Sequence, residues 1–532
     1  MRLTIAMLLM LTLAAGPLYS QNPDQAPPTP DQEQPEVLTS GPVHEAFAEP
    51  VNLEVQAGLV VPEEPPAQIQ EVPPDEKPQG DQFVWVPGYW AWDASRQGYI
   101  WVSACWRAAP PKTYWVPGYW ARVPEGWEWV PGFWAPAGAQ KIEYLPAPPA
   151  IEDLEAPGPP PSPDDIWAPP CRYWYEGHYI LRPGYWVHEQ PGWLWVPSHY
   201  TWTPRGYVFV AGHWDYALER RGVLFAPVYF PRHFHARPGF SYRLGIVVDL
   251  GVLRVNLFTY PRYSHYCFGD YYDDAYLRIG IYPRWESERS RVCYDPIYRY
   301  DRWRNLKTQP HWVEEERHQY DLRRADKDLR PPRTYHEMEV RQAKLPESQR
   351  RNLQMAQPLN TAVARKATPL RFERVNSSEQ KRITRQATDV RKFGDQRTRW
   401  ESPAANRRTV PPLAERKETV RPSAEHKEPA AGPVERKAAA SPPAASTPTE
   451  RKASVPATAE HAPPFVSPRE MKVTKPETVR IPRPPIIGRS VESRREAGTP
   501  PKPTEERQST RDTKGKGADK GRNKGRDEDK SR

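Results

Sequence analysis

The sequence predicts a mainly β protein: an antiparallel meander of aromatic repeats in two blocks, followed by short helices and long disordered segments. Three observations predict it. The hexapeptide Trp85-Val-Pro-Gly-Tyr-Trp90 returns in near-identical form from Trp115 to Trp120 and from Trp129 to Trp134. Of 21 tryptophans, 17 lie between Trp85 and Trp214, so one stretch holds the material for a core. The flanks are proline-rich or charged and too poor in apolar residues to bury a surface of their own.

Reading from Trp85, copies start at Trp85, Trp101, Trp115 and Trp129, then at Trp174, Trp195, Phe209 and Phe225. A short fixed period constrains the fold before local propensity does. Each copy has an aromatic residue at its start, often another two places earlier, and a third five places later. The first two share one face of a strand. The third joins that face only if one residue is absorbed between, and Pro87-Gly88 lies there. Proline cannot donate to a ladder, and glycine tolerates the distortion, so a kink or bulge is expected at Pro-Gly. A hairpin tip at Pro-Gly is disfavoured, because tight hairpin turns need positive φ where proline is locked near −65°. The tips are expected instead at Val123-Pro-Glu-Gly126 and Thr203-Pro-Arg-Gly206.

Folding back at these tips places Trp202 opposite Tyr207, Tyr200 opposite Phe209, Trp195 opposite Trp214 and Trp193 opposite Tyr216. In the same way Trp120 meets Trp129 and Trp115 meets Trp134. Every pair is aromatic, and each contributes roughly 0.2–1 kcal/mol. One aromatic face on a single sheet buries too little to offset the ordering of the chain. The two blocks are therefore expected to stack, or to share that face with a partner.

The motif resembles the Tyr-x-Trp-Gly-x-Trp repeat family of bacterial envelope proteins, above all in Trp-Val-Pro-Gly-Tyr-Trp. The resemblance covers roughly residues 83–230. The copies at Trp101 and Phe225 lack the glycine. The resemblance implies an exported protein without assigned chemistry.

The rest of the chain divides by composition. Residues 1–20 read as a signal peptide, with Arg2, an apolar run from Leu3 to Ala15, and Ser20 before Gln21. That run has 13 residues where a span needs about 20, and no lipid-attachment cysteine follows it. A periplasmic or secreted protein with no transmembrane span in the mature chain is expected. Residues 21–80, with 12 acidic residues and one basic, read as a disordered arm. Block one occupies 81–136, a proline-rich linker 137–170 and block two 171–232. A β extension follows over 233–306, with two strands and a tight turn around Asp249 and a further strand from Leu277 to Tyr282. Residues 307–400 read as charged helices extending into solvent. Residues 401–532 form a basic low-complexity tail with 29 Lys and Arg against 19 Asp and Glu, which supports nonspecific contact with an anionic polymer.

Four cysteines in an exported chain read as two disulfides. Cys105 with Cys171 would clamp the blocks, and Cys267 with Cys293 would close the extension. Histidines at equivalent offsets (His178, His199, His213) sit too far apart in a meander to share a metal. There is no nucleophile beside a base, no paired carboxylates in context and no phosphate loop. A non-catalytic protein with no cofactor and no metal is expected. It would act as a structural or scaffolding component of the envelope, or bind an envelope polysaccharide or protein partner. If the tryptophan stripe is core, Tyr89, Tyr119, His199 and His213 on the opposite face are the exposed ligand-binding candidates.

Overall fold

The computed structural model describes residues 34–54, 56–235, 239–290, 293–402 and 476–482. The signal-peptide reading and nearly all of the basic tail lie outside the described residues. The repeats form four antiparallel hairpins, each made of two copies. The second shows the plan. Thr113–Val116 and Tyr119–Val123 lead to the tip, and Gly126–Val130 and Phe133–Pro136 return. Trp120 pairs with Trp129 and Trp115 with Trp134, as the fold-back requires. In the fourth, Trp202 pairs with Tyr207, Tyr200 with Phe209, Trp195 with Trp214 and Trp193 with Tyr216. Gly126 and Gly206 close the tips at φ +141° and +148°. Each arm is interrupted at Pro-Gly or its counterpart, leaving strands of four or five residues in small two- to four-stranded sheets.

Register corrects the phase of the second block. In the third hairpin Trp167 pairs with Trp186 and Arg172 with Leu181, so its copies start at Trp167 and Leu181. Trp174 belongs near the tip, opposite Tyr179. Phe225 follows Gly222–Leu224, a strand that pairs with Cys105–Ala108 of the first hairpin. The true starts are thus 85, 101, 115, 129, 167, 181, 195 and 209, with 14 residues between most neighbours. Cys171 and Leu181 disguise two copies whose backbone still obeys the plan.

The glycine of the motif has a steric cause. In each hairpin the starting tryptophan of one copy lies over the fourth position of the other. A Cβ on Gly118 would come 2.6 Å from Trp129 Cζ2, and one on Gly212 would come 2.8 Å from Trp195 Cζ2. On Gly132 it would overlap Trp115, and on Gly184 it would overlap Trp167. Where the starting tryptophan is Leu181 or Phe209, the fourth position of the facing copy is Pro170 or Ser198, while Trp85 is matched by Ala104, so the first hairpin keeps the indole without the glycine. Facing indoles then meet edge to face or tilted, 5.1–5.3 Å apart in the Trp115–Trp134, Trp120–Trp129 and Trp195–Trp214 pairs. Such geometry adds to simple burial.

Several expectations are corrected. The acidic arm is not solvated from residue 34 onward. It threads through the molecule as Glu36–Val37, Gly41–Pro42, Val51–Asn52, Val60–Val61, Gln70–Val72 and Glu76–Pro78, each paired with a distant strand. Phe47 is fully buried. The linker contributes Lys141–Tyr144, which takes the tail strand Glu477–Arg480 at its side, and Asp165–Ala168, which opens the third hairpin. In the β extension Asp249 does not turn a hairpin. Its carboxylate accepts from Gly251 N and Val252 N and starts the short helix Leu250–Val255. Leu277 lies in the helix Asp274–Arg278 and not in a strand.

The blocks share a core. One cluster joins Val84, Trp115, Trp134 and Leu194 with Phe47 from the arm, Leu257 and Ile297 from the extension and Val390 from Ser377–Glu401. That last helix, 25 residues long, packs on the repeats through Ile383, Ala387, Val390 and Phe393 and does not project into solvent. The four cysteines are buried free thiols, not two bridges. Cys105 sits between Val86 and Leu224, Cys171 opposite Arg182, Cys267 opposite Phe258 and Cys293 opposite Asn52, each as a small apolar side chain in its own setting. Burial pushes all four thiols up, that of Cys171 to about 12. No helix among the described residues is long and apolar enough to cross a membrane.

Candidate functional site

An interrupted arm leaves backbone groups without ladder partners, and buried groups of that kind must be satisfied. In the second hairpin the arm supplies an anion and the long helix a cation. Glu45 accepts from Gly118 N at 3.0 Å and Gly132 N at 3.1 Å, one oxygen to each interruption. Arg397 donates through Nη1 to the carbonyls of Pro117 and Pro131, both at 2.9 Å. Its Nε reaches Glu401 at 3.0 Å, and its guanidinium stacks over Tyr119 and Phe133. Burial pushes the Glu45 carboxyl up to about 7 against the pull of the two amides and Arg397.

The first hairpin repeats the device with Glu71, which accepts from Gly88 N (2.9 Å), Ala104 N (2.7 Å) and Trp101 Nε1 (2.9 Å). His44 Nε2 lies 3.1 Å from the Pro87 carbonyl, and Arg391 lies 3.6 Å from Glu71. The fourth hairpin closes its own interruption, with Gly212 N donating to Ser198 Oγ at 2.9 Å. It is tied to the first by Asp215, which meets Arg107 at 2.6 Å and Arg221 at 2.8 Å. Burial pushes the Asp215 carboxyl up, but the two guanidinium groups outweigh it and hold the carboxyl below its ordinary range.

The four ligand-binding candidates are absorbed into this frame, and none is exposed. Tyr89 Oη lies 2.7 Å from His265 Nε2 and accepts from Glu45 N. Tyr119 donates to Glu401 at 2.9 Å. His199 and His213 are half-buried, each turned back on a carbonyl two residues earlier, Pro197 and Ala211. Burial lowers both imidazoles, His199 to about 4. The aromatic face opposite the tryptophans is therefore a second interior, covered by the arm and the long helix. No reading of hairpin periodicity alone would have shown that cover.

A different place is open. Under the third hairpin, a cavity of about 670 Å³ is lined by Trp167, Trp186, Trp303 and Tyr294, with Arg289, Arg299, Arg302 and Lys307 among the polar residues. The rings of Trp167 and Trp186 lie 5.2 Å apart. Trp167 Nε1 donates to Leu154 O, and Trp303 Nε1 donates to Asp164 Oδ1, both at 2.9 Å. Lys307 Nζ sits 4.0 Å from the Trp303 ring centre and 2.6 Å from Asp164. Tyr294 is 1% exposed, and its hydroxyl has no hydrogen-bond partner among the described residues. Trp167, Trp186 and Trp303 were visible in the sequence, but the register of the third hairpin pairs the first two and the helix Pro296–Leu306 brings Trp303 to them. Among the described residues there is no group of three or more His, Cys, Asp or Glu side chains placed to hold a metal.

Paired tryptophan hairpins with a glycine under most of the starting indoles define an aromatic-repeat architecture. The WXXGXW repeat, in its two-copy form, matches residues 80–107, 114–135 and 191–214, which are the first, second and fourth hairpins. The third hairpin, with Pro170 and Leu181 in place of Gly and Trp, falls outside the matched spans. No curated protein and no solved structure matches the chain.

Proposed function

We propose that this is an exported, non-catalytic scaffolding protein of the bacterial envelope. Its hairpins would form the rigid body of that scaffold. The observation that carries this reading is the use of the buried polar groups. Glu45, Glu71 and Arg397 are each committed to backbone at the interruptions, which suits a rigid frame and leaves none of them for turnover. The apolar run from Leu3 to Ala15 supports export. Cell fractionation tests it: the mature chain is expected in the envelope or periplasm, and a cytoplasmic chain retaining residues 1–20 overturns it.

A second reading is favoured by the cavity under the third hairpin. Tryptophan faces stack on sugar rings, and Arg289 and Arg302 suit an acidic saccharide, Arg299 and Lys307 being paired with Glu288 and Asp164. Tryptophan fluorescence titrated with soluble peptidoglycan fragments and with neutral glycans tests it. Saturable quenching by the acidic fragments alone is expected, and an unchanged spectrum with every glycan removes this reading.

A further inference from the structure

In three of the four hairpins the strand returning from the tip is itself covered by another strand. Val228 pairs with Trp101 on Gly98–Val102 of the first hairpin. Val60 and Val61 pair with Glu128 and Trp127 on Gly126–Val130 of the second, where Trp129 N also donates to Leu59 O at 3.0 Å. In the fourth, Leu145 and Tyr207 exchange both backbone hydrogen bonds, at 2.8 and 2.9 Å. All these covering residues belong to the chain itself.

The third hairpin has no such cover. His178–Arg182 pairs with Cys171–Tyr175 and with nothing else among the described residues. In an antiparallel pair, residues alternate between turning both backbone groups to the partner and turning both away. Counted from the tip, Tyr179 corresponds to Trp127 and Tyr207, and Leu181 to Trp129 and Phe209. Tyr179 and Leu181 therefore aim N–H and C=O outward, where no backbone group meets them among the described residues. The same hairpin leaves Tyr175 56%, Ile180 44% and Leu181 49% exposed. Folded proteins seldom leave an apolar open edge uncovered.

The geometry points to a second copy of this chain as the occupant, with the two His178–Arg182 strands paired antiparallel about a two-fold axis through Ile180. The outward residues are placed symmetrically about that position. A two-fold sets Tyr179 of one copy against Leu181 of the other, and all the outward groups on both strands are satisfied at once. Ile180 meets its own counterpart, and His178 meets Arg182 at the rims. Pro183 ends the edge after five residues, a length that a longer foreign strand could not use beyond that point. The result is one four-stranded sheet across two copies. A strand of this length buries less than the roughly 800 Å² per partner of a stable interface, so association is weak and concentration-dependent. This self-pairing is independent of either functional reading.

Sedimentation velocity of the full chain across a hundred-fold concentration range is expected to show a monomer passing to a dimer. Ile180→Cys places two thiols at the axis in a non-hydrogen-bonded pair, with Cα atoms about 4.5 Å apart, within the roughly 4.4–6.8 Å a disulfide spans, so mild oxidation can link them. It is expected to give a linked dimer at least ten-fold faster than His178→Cys or the unsubstituted chain. Leu181→Pro removes one outward N–H and is expected to leave a folded monomer, with near-ultraviolet circular dichroism reporting the fold. A monomer at every concentration overturns the proposal. So does equal cross-linking of Ile180→Cys and His178→Cys, or a folded Leu181→Pro chain that dimerises like the parent.

Discussion

Replacing Gly132 with alanine tests the steric reason for the motif. The added Cβ would overlap Trp115 Cζ2, stand 2.7 Å from its Cη2 and lie 2.8 Å from the Val116 carbonyl oxygen. Trp115 is 4% exposed and wedged against Trp134, so the indole cannot swing into solvent without opening the shared core. Overpacking of this kind costs about 1–3 kcal/mol, and a clash that includes backbone belongs at the upper end. Alanine also narrows the unfolded ensemble, which returns about 0.4–1 kcal/mol. The net expectation is a loss of about 2 kcal/mol. Gly138→Ala is the control, since a Cβ there meets nothing within 4 Å and the position lacks a positive φ. It is expected to be neutral or slightly stabilising. Denaturant unfolding followed by tryptophan fluorescence measures both. If the two variants agree within about 0.5 kcal/mol, the scale of an ordinary surface change, the indole does not need the glycine and the reasoning fails.

Other outcomes follow from the caps. Arg397→Met leaves the Pro117 and Pro131 carbonyls without donors and Glu401 without its cation, an expected loss of about 3–5 kcal/mol seen in chemical denaturation. Limited proteolysis should then cut within Ser377–Glu401 first, and an unchanged cleavage pattern would count against that helix being held by the repeats. Glu45 moves from its ordinary 4.5 to about 7, so it contributes about 3 kcal/mol present below pH 4.5 and lost as pH rises through 7. Glu45→Gln should therefore make the slope of stability against pH less negative between pH 4.5 and 7, and an equal slope in both chains refutes the raised carboxyl. His44 and His265, lowered by burial to about 4 and 3, act oppositely and add stability as pH climbs toward 6.5. Thiol titration should find no reactive cysteine in the native chain and four after unfolding. Fewer than four would restore a bridge.

What the sequence made legible was local. Aromatic residues at fixed offsets, with Val123-Pro-Glu-Gly126 and Thr203-Pro-Arg-Gly206 between them, dictate the tips and the facing pairs because both depend on neighbours within one hairpin. The third hairpin escaped because identity was the guide there, and Leu181 with Pro170 broke the identity while keeping the register. The fate of the acidic arm was hidden for a different reason. Glu45 and Glu71 look like solvated charge in a count of acids, yet each is drawn inward by amides freed 73 and 17 residues away in sequence. Arg397 was read as helix surface, and its two carbonyl partners lie 280 and 266 residues upstream. Composition carries no information about such long-range polar closure. The supposed binding face of Tyr89 and Tyr119 failed with it, since a face is exposed only if nothing else in the chain covers it.

The central claim is that adjacent copies close on each other as hairpins with facing tryptophans. A double-mutant cycle on Trp195 and Trp214 tests it most directly, with Trp195 and Trp129, which lie in different clusters, as the reference cycle. A coupling of about 0.5–1.5 kcal/mol is predicted for the facing pair and none for the reference. Equal coupling in both cycles, or none in either, would contradict the hairpin register.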